Sequence, residues 1–172
     1  MSTIINGTSS AITFPDSSVQ NTSAIVSGSI PTSIMPVGSV IQTVGGGDTT
    51  TYTNNSTTPV TTSSMSITLT NSASKVAVFF WTWAEGTIGS SVPGVDVYLY
   101  RGGSALANRT RILCSTSSGQ PSSISGGLPM MYLDTPATTS PNYQIALSKT
   151  SGAGSSTATQ YWAYWVIQEI KV

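Results

Sequence analysis

Six carboxylates and no histidine limit the chemistry this sequence could perform. Histidine is the commonest general base, the centre of the usual catalytic triad and the most frequent ligand of transition metals. The carboxylates, Asp16, Asp48, Glu85, Asp96, Asp134 and Glu169, stand singly along the chain. A glycosidase needs two of them facing across a cleft, and no local pair advertises that arrangement. Solvated or capping roles are expected for each. Calcium loops favour closely spaced aspartates, which Asp48, Asp96 and Asp134 lack. Gly45-Gly46-Gly47 has no following Lys-Ser or Lys-Thr, so it reads as a flexible turn rather than a phosphate loop. Arg101, Arg109 and Arg111 form the one basic cluster. Without a broad basic field around them, pairing between subunits is expected, not nucleic-acid contact. Cys114 follows Ile112 and Leu113 and reads as a buried, inert thiol. No catalytic residue, cofactor or metal is predicted.

The elements that position these residues are strands. Residues 75–83, Lys-Val-Ala-Val-Phe-Phe-Trp-Thr-Trp, are apolar at odd and even positions alike. Such a strand is central, with packed material on both faces. A second stretch, residues 161–172, closes the chain, and the two hold all four tryptophans. Alternation of apolar and polar residues marks strands at Met65, Ile67, Leu69 and at Val95, Val97, Leu99. Further strands are expected at 39–44, 109–115, 128–133, 143–148 and 160–170. Arg101-Gly102-Gly103-Ser104 is a hairpin turn by composition. Residues 49–64 read as a polar loop. With about eight strands and no helical period, the expected fold is all-β, an antiparallel β-sandwich or jelly roll.

Composition points to assembly. Charged residues make up 7% of the chain and the net charge is zero, against about a quarter charged in ordinary soluble domains. Serine and threonine supply about a third of the residues instead. Such a surface gives little protection against self-association. Neither nucleic acid nor anionic lipid would be attracted, and no apolar run reaches the length needed to cross a membrane. The opening residues have neither the basic nor the apolar part of a signal peptide, so synthesis in a reducing cytoplasm is expected.

Residues 1–36 contain no Trp or Tyr and a single charge, Asp16. Their few apolar side chains cannot offset the entropy of ordering, at about 1–2 kcal/mol per residue, without a partner surface. They are read as an extended arm and linker, and residues 37–172 as the head. Ile12-Thr13-Phe14-Pro15-Asp16-Ser17-Ser18-Val19-Gln20-Asn21-Thr22-Ser23-Ala24 resembles an element near the start of many tailed-bacteriophage fibre proteins, with Ser17 where glycine is usual. Ser74-Lys75-Val76, Val97-Tyr98-Leu99-Tyr100-Arg101-Gly102-Gly103 and Leu133-Asp134-Thr135-Pro136-Ala137-Thr138-Thr139-Ser140 resemble pieces of their globular heads. The resemblance implies a virion structural protein, typically a homotrimer, with a head similar to the C1q/tumour-necrosis-factor jelly roll. Ile12, Phe14, Pro15, Asp16, Val19 and Gln20 would then attach it to other virion proteins of capsid or tail. The head would face outward and meet a host surface glycan or protein through the polar loops 86–93, 115–127 and 149–159. An architectural cement protein of the capsid is the alternative, and an enzyme degrading host polysaccharide a distant third.

Overall fold

The two apolar runs lie side by side at the middle of one sheet. A computed structural model describes residues 4–5, 11–13, 19–21, 32–87, 94–106, 110–113, 123–150 and 157–172. It divides into two compact units, Met1–Ser39 and Val40–Val172. In the first, strands β1 (Ile4–Ile5), β2 (Ala11–Thr13) and β3 (Val19–Asn21) pair antiparallel in the order β1-β2-β3. The extended pieces of the N-terminal segment are thus hydrogen-bonded to one another. A single 3-10 turn follows at Thr32–Ile34.

The second unit is an antiparallel sandwich. Its strands are β4 (Val40–Asp48), β5 (Tyr52–Asn54), β6 (Val60–Ser66), β7 (Lys75–Thr87), β8 (Gly94–Arg101), β9 (Ser104–Ala105), β10 (Thr110–Leu113), β11 (Ser123–Asp134), β12 (Asn142–Lys149) and β13 (Ala158–Ile170). One sheet runs β11-β7-β13-β4, with β5 on the far end of β13; the other runs β10-β8-β12-β6, with β9 beside β8. Val76, Val78, Phe80 and Ala84 of β7 and Ala163, Trp165 and Ile167 of β13 meet Val95, Val97 and Leu99 of β8 and Tyr143, Ile145 and Leu147 of β12 in the core. The alternation along β7 is what puts every second residue there.

Polar bonds then fix the sheets against each other. The Trp165 indole donates to Ser63 Oγ at 3.0 Å, and Thr62 Oγ1 donates to Gln160 Oε1 at 2.7 Å. At the other end of the sandwich, Asp134 of β11 accepts from Arg101 of β8 and, at 2.8 Å, from the Tyr143 hydroxyl of β12. Burial, and then the Asp134 carboxylate, pushes the Tyr143 phenol well above its usual range, so it is a permanent donor. Tyr143→Phe should cost about 2 kcal/mol, the value of a hydrogen bond to a charged group, because Asp134 keeps its other donors. Denaturant melts at neutral pH would measure it.

Several sequence expectations change. The strand at Met65, Ile67 and Leu69 begins earlier and ends at Ser66. Ile67 and Leu69 stay buried, but their amides bond Pro141 O and Thr139 O in a loop instead of continuing a ladder. Residues 49–64 contain β5 and most of β6, polar strands with no apolar alternation to reveal them. Gly45-Gly46-Gly47 is not a turn: it lies within β4, in register with Val166, Trp165 and Tyr164. The hairpin at Gly102-Gly103 is present, with φ of 54° and 84° that only glycine adopts cheaply.

Candidate functional site

Register places side chains in rows across the outer face of the β11-β7-β13-β4 sheet. Gly127, Trp83 and Trp162 form one row, Pro129, Trp81, Tyr164 and Gly47 the next. Met131, Phe79, Val166 and Gly45 follow, then Leu133, Ala77, Gln168 and Thr43. This face is uncharged through its centre. Trp81 is 50% exposed, Met131 72%, Leu133 56% and Tyr164 55%, values that core residues never show. A shallow groove runs over Phe79 between Met131 on one side and Val166 on the other. The central strand is therefore covered on one face only by the described residues, where the sequence led us to expect cover on both. The apolar pattern reports that a face will be buried; it does not report whose atoms bury it.

The aromatic rings pack on one another. Trp162 meets Trp81 edge to face at 5.1 Å between centroids and Tyr164 at 5.4 Å. Two glycines shape the layer. A Cβ at Gly127 would fall on the Trp81 indole nitrogen, and one at Gly47 would come within 2.8 Å of the Tyr164 ring. Both rings thus occupy space that any other residue on the neighbouring strands would fill. At the rim, the Tyr161 hydroxyl donates to Glu85 at 2.6 Å, which raises the Tyr161 phenol above its ordinary value.

Several charged side chains among the described residues are bonded to neighbouring strands and turns. Asp96 and Arg111 face each other on β8 and β10, with Arg111 Nε and Nη2 on the two carboxylate oxygens at 2.5 and 2.8 Å. Asp48 accepts from Thr50 N and the Tyr52 hydroxyl. Glu169, wholly buried, accepts from Thr70, Ser74 and Gln42. Asp96, Asp134 and Glu169 are all buried, not solvated: Asp96 and Asp134 pair with arginines, while Glu169, of the solvated or capping roles the sequence suggested, keeps the capping one on the Thr70 amide. Arg101 and Arg111 pair within the chain rather than between subunits; Arg109 lies outside the described residues, as does Cys114. Among the described residues no three His, Cys, Asp or Glu side chains gather where they could hold a metal ion, and no helix is long and apolar enough to cross a membrane.

Of the N-terminal residues expected to attach the chain to other virion proteins, Ile12 of β2 is in register with Gln20 of β3, and Val19 with Thr13. Phe14, Pro15 and Asp16 lie outside the described residues. Most of the polar loops 86–93, 115–127 and 149–159 do too, but Ser123 to Gly127 belong to β11.

No protein-family model matches the chain, and no curated protein matches it. Solved structures similar to it include the infectious bursal disease virus VP2 subviral particle, at 14% identity and a TM-score of 0.37, over 78% of this chain and 39% of that one. The infectious bursal disease virus Gx strain is similar at 12% identity and a TM-score of 0.36, over 76% of this chain and 38% of that one. The chain thus spans less than two fifths of the length of either.

Proposed function

We propose that this chain is a structural protein of a bacteriophage particle, a short trimeric fibre or spike. Its N-terminal unit attaches it to capsid or tail, and its sandwich stands outward toward the host surface. The work is assembly and binding, without turnover. The observation that carries the reading is the uncovered aromatic face of the β11-β7-β13-β4 sheet. A lone soluble domain seldom exposes contiguous apolar surface of this extent, whereas a subunit of an assembly does. The N-terminal resemblance supports the particle as the place of assembly, and the bonds that engage Asp96, Asp134 and Glu169 give those three carboxylates structural work.

The test is to raise antibodies to the sandwich and label intact particles for electron microscopy. Label at the particle surface is the expected result; unlabelled particles from cells that make the protein would end the proposal. Phe14→Ala should weaken attachment by about 3 kcal/mol per chain, the usual loss for a buried aromatic anchor. Co-sedimentation of the variant with particles lacking the protein measures that loss.

A further inference from the structure

We propose that the outer face of the β11-β7-β13-β4 sheet is covered by a second copy of this chain, and that Gly127 and Gly47 position the rings that the copy meets. The inference rests on the assembly reading above and names the surface responsible for it. Trp81, Trp83, Met131, Leu133, Tyr164 and Val166 are all exposed on this one face. At aromatic and aliphatic side-chain areas they present roughly 700 Å² of apolar surface, close to the roughly 800 Å² each partner brings to a standard interface.

Charge selects the occupant. The outward positions of β7 carry Lys75 at one end and Glu85 at the other, about 33 Å apart on an extended strand. Between them the face is neutral, so a copy meets no like charge at the centre of the contact. The chain is itself the uncharged partner such a face fits, with 7% charged residues and no net charge. A sugar is a poorer match. Met131, Leu133, Val166 and Pro129 offer its hydroxyls nothing to bond, and register places all four on the rows beside Phe79. Trp81 and Tyr164 occupy the side-chain spaces above Gly127 and Gly47, so the two glycines fix where these rings stand on the face that the copy meets.

The full-length chain should sediment at micromolar concentration as a multiple of its 17.8 kDa mass. Met131→Lys places a charge on a side chain that is exposed in the single copy, so folding is spared. It should weaken association about 100-fold or more, the usual effect of an uncompensated charge in an interface. Gly127→Ala should weaken it about 10-fold by displacing the Trp81 ring. Val60→Lys, exposed on the other sheet, should leave the mass unchanged. Circular dichroism confirms that each variant is folded. A wild-type monomer, an Met131→Lys variant as associated as wild type, or a monomer whose tryptophans are shielded only by added oligosaccharide would each overturn the inference. A chain that associates through this face but is absent from particles leaves the inference standing and removes the virion reading; a monomer found on particles does the reverse.

Discussion

Val78→Asp should yield no folded protein: no cooperative thermal transition, no near-ultraviolet dichroism and recovery in the insoluble fraction. Val78 is completely buried in the first half of β7, in register with Tyr132 on one side and Ile167 on the other. No cation lies among the core residues around it, so an introduced carboxylate would stay charged without a partner or take up a proton at the expense of folding. An unpaired buried charge costs several kcal/mol, comparable with the roughly 5–15 kcal/mol that holds a whole domain together. Two companions make the result specific. Val78→Ala should lose about 2 kcal/mol and still fold. Trp81→Asp, three residues along the same strand but on the exposed face, should fold and lose association instead. Were Val78→Asp to melt near wild type while Trp81→Asp failed to fold, the two faces of β7 would have been exchanged.

That contrast also shows where the sequence is informative. The apolar runs at 75–83 and 161–170 identify β7 and β13 because an unbroken β-branched and aromatic run is a local signal for strand. The alternation at Val95, Val97 and Leu99 and the glycines at 102 and 103 are local signals too. What escapes a reading of the sequence is set by residues far away. Gly47 looks like a turn because its strand role depends on Tyr164, more than a hundred positions later. Asp134 gives no sign of its burial because Arg101 lies 33 residues away, and Glu169 none because Thr70 lies 99 away. The strands at Tyr52–Asn54 and Val60–Ser66 are masked by serine and threonine, which form ladders without declaring a face. The uncovered side of β7 is a different kind of omission, since an apolar pattern is the same whether the cover belongs to the chain or to a neighbour.

Glu169 offers the second large effect, and one with a pH signature. Its carboxylate accepts from Thr70 N at 2.9 Å, Thr70 Oγ1 at 2.8 Å, Ser74 Oγ at 2.7 Å and Gln42 Nε2 at 2.7 Å. These donors come from β4 and from the turn between β6 and β7, so one side chain fastens both to the end of β13. Burial alone would raise its pKa, but the bonds from Ser74, Gln42 and Thr70 outweigh it and hold the group below its ordinary value of 4.5. Glu169→Gln keeps the shape while turning an amide NH2 toward donors, and should cost about 3 kcal/mol at pH 7. The sign of the pH effect follows from linkage. With the native pKa depressed, the unfolded chain binds more protons below pH 4.5, so the contribution is complete above that value and disappears as the pH falls through the native pKa. Asp48 is also held low, its bonds from Thr50 and Tyr52 overcoming the effect of burial, but it titrates alike in both proteins and cancels in their difference. The stability gap between wild type and Glu169→Gln, measured by denaturant titration from pH 7 downward, should therefore stay constant to about pH 5 and then narrow. Parallel curves through the acid range would mean that Glu169 is not held as a carboxylate by these bonds, and that the turn and β4 are fastened by something else.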